Sequence, residues 1–137
     1  MPIFDAECAF GSKSEGEFLI LVVEDDPQVG RLIALVLQRN GHESEVLADG
    51  EAAFERARAV LPQMIFADLA IKGMGGEALC VALKRDPETK NIPFVIVSGD
   101  RDIAEKAKVC GADDFMGKPF EFVDLVRVVT RYARTDR

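Results

Sequence analysis

The sequence predicts an α/β fold, a doubly wound five-stranded parallel sheet with helices on both faces. From Glu17 onward, short apolar runs alternate five times with segments of helical period. The connections between them are short, and this alternation is typical of a parallel sheet. A chain of 137 residues is long enough for one domain with its own core. We therefore expect one domain over residues 17–137, preceded by an N-terminal extension, residues 1–16, that lies outside the pattern.

The first strand and helix have the clearest signals. Residues 18–23 form an unbroken apolar run, which is typical of a strand buried on both faces of a sheet. Asp26 is a suitable N-cap, and Pro27 suits the first position of the helix that follows. Asn40 and Gly41 end this helix. Its apolar stripe consists of Val29, Leu32, Ile33, Val36 and Leu37.

The second and third units follow the same order. Residues 43–47 are predicted to form a weaker strand, and Asp49 with Gly50 a turn and cap. The buried stripe of the second helix consists of Ala53, Phe54, Ala57, Val60 and Leu61. Residues 64–67 form a third strand, and a glycine-rich loop, residues 73–76, leads to a helix that carries Leu79, Ala82 and Leu83.

The last two units complete the sheet. Residues 94–97 are a fourth strand, and Phe115 with Met116 forms a short fifth strand. Ile103, Ala107 and Cys110 mark the buried side of the fourth helix. The last helix is predicted to bury Phe122, Leu125, Val126 and Val129. Val123, Val128 and Tyr132 then lie outside its stripe, either as a partner surface or as ordinary surface scatter.

Composition and charge exclude several classes of protein. The formal net charge of −7 argues against a surface that binds nucleic acid or anionic lipid. The longest apolar run has six residues, against roughly twenty for a membrane-spanning helix. The start of the chain lacks the features of a signal peptide. Three cysteines, Cys8, Cys80 and Cys110, form no metal-binding or disulfide pattern. We expect a cytoplasmic protein without nucleic-acid or membrane partners.

Charged and polar residues follow four of the predicted strands. Glu24 and Asp25 come after the first strand, Asp68 after the third, Ser98 after the fourth and Lys118 after the fifth. The carboxyl ends of parallel strands meet at one edge of the sheet, where ligands of such folds bind. Three carboxylates placed together would repel one another, and a divalent cation removes that conflict. Oxygen ligands of this kind favour Mg²⁺ over zinc.

This set of residues suits phosphoryl transfer to a protein carboxylate. Asp68 would be the nucleophile, since a carboxylate can attack a phosphoryl group to give an acyl phosphate. Lys118 would neutralise charge on the transferred group, and Ser98 would donate a hydrogen bond to one of its oxygens.

The chain resembles a response-regulator receiver domain of the stand-alone, single-domain type. The matching segments are residues 19–27, residues 68–76, residues 95–98 and residues 111–120, in the expected order. The resemblance implies a flavodoxin-like fold with strand order 2-1-3-4-5 and a cis Lys118–Pro119 bond. It also implies phosphorylation of Asp68 and a switch formed by Ser98 and Phe115. Mg²⁺ would be bound by Asp25, Asp68 and the backbone carbonyl of Ala70, and by Glu24 mainly through water.

The resemblance further implies a signalling domain and not an enzyme, beyond its own phosphoryl transfer and autodephosphorylation. The donor would be a histidine kinase or a histidine phosphotransfer protein. A downstream protein or a second copy would bind the face of helix 4, strand 5 and helix 5. Ala70 and Asp100 occupy the positions that influence acyl-phosphate lifetime in receivers, which leaves that lifetime open.

Three other functions compete with this hypothesis. An aspartate-nucleophile phosphatase of haloacid-dehalogenase type would need a second carboxylate two residues after Asp68, where Ala70 stands. A flavodoxin-like binding module would need a glycine- and hydroxyl-rich loop after the first strand, where acidic residues stand. A degenerate receiver used as a scaffold finds little support because every reactive group is present. We therefore expect a regulator that acts by protein contact.

Overall fold

The computed structural model describes residues 19–132, and the predicted extension, residues 1–16, lies outside them. Five strands alternate with five helices along these residues. The strands are β1 (Leu19–Val23), β2 (Glu43–Leu47), β3 (Met64–Asp68), β4 (Phe94–Ser98) and β5 (Asp114–Gly117). The helices are α1 (Pro27–Arg39), α2 (Gly50–Val60), α3 (Gly76–Arg85), α4 (Ile103–Cys110) and α5 (Phe122–Tyr132).

All neighbouring strands are parallel, and their order across the sheet is β2-β1-β3-β4-β5. The predicted topology is therefore confirmed. The order reverses between β1 and β3, which places the ends of these two strands side by side at the carboxyl edge. Within residues 19–132, no helix is long and apolar enough to cross a membrane.

Two apolar clusters cover the two faces of the sheet, because successive strand residues point in opposite directions. In β1, Leu21 and Val23 pack on the side of α2, α3 and α4, whereas Ile20 and Val22 pack on the side of α1 and α5. All five residues of β1 are buried, as its continuous apolar run predicts. The outer strand β2 is more exposed and more polar.

Local signals for helix starts are confirmed. Asp26 caps α1 by accepting from the backbone N–H groups of Gln28 and Val29, and Pro27 is the first helical residue. Asp49 caps α2 by accepting from the N–H of Ala52. The fourth helix differs, since Asp102 occupies its N-cap position without a side-chain hydrogen bond to the helix.

Four predictions of burial are wrong. Leu32 is 47% exposed and Phe122 is 50% exposed, because both line one surface cleft of about 410 Å³ between α1 and α5. Leu61 is also exposed, since it lies beyond the end of α2 in a left-handed conformation. Val128, which we placed outside the α5 stripe, is buried with Leu125 in the core on the α1 side.

The cysteines provide small buried groups and no metal site within the described residues. Cys80 in α3 and Cys110 in α4 are both buried, and the Cys80 thiol donates to the Cys110 carbonyl oxygen at 3.4 Å. Burial and the neighbouring Cys110 thiol raise the pKa of the Cys80 thiol, which therefore stays protonated. Cys8 lies outside the described residues.

Candidate functional site

The carboxyl edge of the sheet brings together the side chains that the sequence placed after separate strands. Lys118 follows β5, and its Nζ lies 2.6 Å from Asp68 Oδ2 and 3.2 Å from Glu24 Oε1. Asp68 is the last residue of β3, and Glu24 directly follows β1. Three residues far apart in the chain thus form one hydrogen-bonded ion group.

Glu24 is the most deeply buried carboxylate of this group, with 5% of its surface exposed. Its Oε2 accepts from the N–H of Asp26 at 3.2 Å, and its own N–H donates to the carbonyl of Leu47. Burial raises the pKa of Glu24, although the Asp26 hydrogen bond and the charge of Lys118 act in the opposite direction. The loop after β1 therefore holds Glu24 in a buried position, where a nearby cation such as Lys118 stabilises its negative charge.

Asp68 is oriented from both sides. Its Oδ1 accepts from the backbone N–H of Ala70 at 3.0 Å, while its Oδ2 accepts from Lys118. Burial would lower the pKa of Lys118, but the hydrogen bond to Asp68 and the charges of both carboxylates outweigh it and raise that pKa. Lys118 consequently remains an ammonium, and its charge offsets the repulsion between the two carboxylates.

Ser98 completes the same edge at the end of β4, where it is 6% exposed. Its Oγ accepts from the backbone N–H of Asp100 at 3.0 Å, and its carbonyl accepts from the N–H of Lys118 at 2.8 Å. The backbone bond ties the hydroxyl-bearing strand to the lysine-bearing loop. The Lys118–Pro119 bond is cis, as predicted.

Two predicted site residues stand apart from this contact group. Asp25 is half-buried, and its side chain makes no hydrogen bond or ion pair with another residue of the range 19–132. Phe115 lies in the edge strand β5 and is 41% exposed, paired in register with Ile96. The structure thus places Phe115 on the surface, beside the strand that carries Ser98.

The oxygen donors at this edge fit Mg²⁺ better than a softer metal. No group of three or more His, Cys, Asp or Glu side chains in the described part of the chain is close enough to form a metal cage of its own. Mg²⁺ does not require one, since it commonly uses one or two carboxylates with waters and phosphate oxygens. Asp25, Asp68 and the carbonyl of Ala70 could supply such a partial set, with Glu24 acting through water.

The sequence reasoning missed two contacts that shape the site. It assigned Lys118 to the transferred group and did not anticipate that Lys118 binds Glu24 and Asp68 at once. It also gave no role to Lys106 in α4, whose Nζ lies 2.8 Å from Asp100 Oδ2. The apolar period of α4 could not signal this contact, because Lys106 is on the polar side of the helix.

Comparisons with known proteins agree with this fold. Residues 20–130 match the family model of the response regulator receiver domain. The chain therefore belongs to the response regulator receiver domain family, and it is a receiver domain of two-component signalling. The DNA-binding response regulator MtrA of Mycolicibacterium smegmatis is 33% identical over 120 residues, which are 85% of this chain and 51% of MtrA. The chain spans about half the length of the curated relatives it matches.

Solved receiver domains have the same architecture. The receiver domain of a signal transduction histidine kinase from Syntrophus aciditrophicus has a TM-score of 0.78 and 32% identity, covering 84% of this chain and 89% of that domain. The receiver domain of the sensor histidine kinase PA1611 from Pseudomonas aeruginosa, with a magnesium ion coordinated in its active site cleft, also has a TM-score of 0.78. It is 23% identical, with 84% of this chain and 96% of that domain covered, which shows a shared fold.

Proposed function

We propose that this receiver domain is activated when Asp68 accepts a phosphoryl group from a histidine kinase or a histidine phosphotransfer protein. The observation that supports this most directly is the 2.6 Å contact between Lys118 Nζ and Asp68 Oδ2. It places a cation against the carboxylate that would react, with the buried Ser98 hydroxyl at the end of the adjacent strand. Charge neutralisation and positioning are the main requirements of phosphoryl transfer.

The reaction forms an oxygen–phosphorus bond at Asp68 and breaks the nitrogen–phosphorus bond of the donor phosphohistidine. The donor imidazole takes up a proton and leaves as the neutral ring. Lys118 keeps its proton and pairs with an oxygen of the transferred group. The Ser98 hydroxyl, whose oxygen is already fixed by the N–H of Asp100, donates its own hydrogen to another phosphoryl oxygen.

Mg²⁺ is the cofactor we propose, held by Asp25, Asp68 and the Ala70 carbonyl, with Glu24 acting through water. When bound, it would neutralise charge on the incoming phosphoryl group. The presence of two acidic residues besides Asp68, one of them buried, supports this assignment. The magnesium ion in the PA1611 receiver domain adds support from the shared fold.

Phosphorylation then changes the surface that a partner binds. The three elements of this face, α4, β5 and α5, each carry an exposed apolar side chain, Val109, Phe115 and Val123 respectively. We propose that a downstream protein, or a second copy of the chain, binds there after Ser98 and Phe115 rearrange. We propose no nucleic-acid or membrane partner for these residues, and a cytoplasmic location.

The decisive experiment measures the intact mass after incubation with Mg²⁺ and acetyl phosphate. We expect a gain of one phosphoryl group, its loss in Asp68→Asn, and strong reduction when EDTA removes the cation. Glu55→Gln, which removes an exposed carboxylate of α2 outside the site, is the matched control and should gain phosphate normally. An unchanged mass of the wild-type protein would overturn the proposal. Repeated release of phosphate from p-nitrophenyl phosphate would instead favour a phosphatase.

A further inference from the structure

The loop between β4 and α4 is bound at two places through one residue, Asp100. Its backbone N–H donates to Ser98 Oγ at 3.0 Å. Its carboxylate Oδ2 accepts from Lys106 Nζ at 2.8 Å, and the same ammonium lies 3.8 Å from Asp102 Oδ1. Lys106 is the fourth residue of α4. Asp100 therefore links the hydroxyl of the phosphorylation site to a helix of the proposed output face.

The contact with Lys106 matters because no side-chain hydrogen bond caps the start of α4. Asp102 stands at the N-cap position but makes no capping hydrogen bond. Gly99, the residue between Ser98 and Asp100, is exposed and has no side chain that could pack against the loop. The hydrogen bond to Asp100 raises the pKa of Lys106, opposing the effect of its own desolvation, so the lysine stays charged. The loop arrangement thus depends on a charged pair at its outer end.

We propose that Lys106 is a positioning residue, which holds the β4–α4 loop through Asp100 and thereby restrains the Ser98 hydroxyl before phosphorylation. This inference rests on the proposed phosphorylation of Asp68. Movement of Ser98 toward a phosphoryl oxygen must carry the Asp100 amide with it or break their hydrogen bond. The Asp100–Lys106 pair opposes that movement, so its loss shifts the loop toward the phosphorylated arrangement.

The first test compares phosphorylation rates of Lys106→Gln, Asp100→Asn and the double variant, using limiting acetyl phosphate and intact mass. We expect both single variants to react about two- to fivefold faster, the range that an exposed ion pair can supply. The double variant should react no faster than either single variant, because each change removes the same contact. Lys108→Gln is the matched control, since it removes the same charge from an exposed position of α4.

A charge effect without a positioning role predicts a different result. Lys106→Gln removes a positive charge and Asp100→Asn a negative charge, so simple electrostatics would move the two rates in opposite directions. Opposite and additive changes would therefore overturn the proposal. Equal rates in all four proteins would overturn it as well.

The second test does not depend on phosphate. Hydrogen exchange of the Asp100 amide reports its bond to Ser98 Oγ in the unmodified protein, and Ser98→Ala gives the rate without that bond. We expect Lys106→Gln and Asp100→Asn to speed this exchange severalfold, after correction for intrinsic rates, with an unchanged thermal midpoint. If wild-type protein takes no phosphate, the proposed function fails but the exchange rates still decide the positioning role. An unchanged rate in Lys106→Gln would refute that role.

Discussion

Gly76 gives a sharp prediction because its missing side chain lets α3 begin against the backbone at the end of β3, the strand that carries Asp68. A Cβ added at Gly76 would lie 2.5 Å from the carbonyl oxygen of Asp68 and 2.9 Å from Cα of Leu69. Both are backbone atoms, which cannot rotate away as a side chain could. The N–H of Gly76 also donates to the Leu69 carbonyl at 3.2 Å, so the two segments are bound to each other.

Gly76→Ala should therefore destabilise the protein although alanine is the better helix former. The gain in helix propensity is at most about 1 kcal/mol. Overpacking against a fixed neighbour costs about 1–3 kcal/mol. We expect a net fall of about 1–2 kcal/mol in the free energy of unfolding, or roughly 4–8 °C in the thermal midpoint. Because the displaced atoms belong to Asp68, phosphorylation should slow by about tenfold.

Urea unfolding and intact mass measure the two effects. Gly30→Ala in α1 is the matched control, since its new Cβ would lie 2.8 Å from Cγ1 of Val46, a side chain that is 38% exposed and can rotate. We expect Gly30→Ala to leave stability unchanged or to raise it by up to about 1 kcal/mol. A Gly76→Ala protein with wild-type stability and phosphorylation rate would refute this reasoning.

Three further predictions concern the core, the ion group and pH. Leu125→Ala should lower the free energy of unfolding, measured in urea, by about 2–5 kcal/mol because Leu125 is fully buried. Val123→Ala is the control: Val123 is 55% exposed, and its replacement should change the free energy of unfolding by less than about 0.5 kcal/mol. Lys118→Met leaves the carboxylates of Glu24 and Asp68 without their shared cation. Calorimetry at neutral pH should show a free energy of unfolding that is lower by about 1–3 kcal/mol, and an unchanged free energy of unfolding would contradict this prediction. Burial lowers the pKa of His42 in the folded protein, so the unfolded chain takes up a proton at this residue at a higher pH than the folded protein does. The free energy of unfolding should therefore fall as the pH drops below about 6.5. His42→Asn should flatten this pH dependence, and an unchanged slope would contradict the prediction.

The strands were predictable because a strand that is buried on both faces of the sheet has an unbroken run of apolar residues. The unbroken apolar run of β1 and the cap formed by Asp26 with Pro27 each have one physical explanation. The buried face of a helix was harder to predict where its apolar residues are compatible with two different stripes. In α5, Leu125 and Val129 fit either the predicted stripe or the observed one, and only the packing of Val128 against the core decides between them.

The sequence predicts which residues lie at the candidate site, but not which of their side chains contact one another. Parallel topology alone places Glu24, Asp68, Ser98 and Lys118 at one edge, and the structure brings them there. Which carboxylates Lys118 would bind depends on distances that no periodicity encodes. The pairing of Asp100 with Lys106 depends likewise on how the loop turns after β4.

At the amino edge of the sheet, opposite the candidate site, side-chain hydrogen bonds hold the beginning of β4 in place. Lys84 Nζ donates to the carbonyls of Lys90 and Ile92 and to Asp113 Oδ2, and the same oxygen accepts from the N–H of Phe94 at the first residue of β4. The beginning of β4 is thus anchored to α3 and to the segment before β5. A displacement that starts at the far end of this strand cannot be relieved by sliding the whole strand. We therefore expect such a displacement to be taken up by the loop between Ser98 and α4.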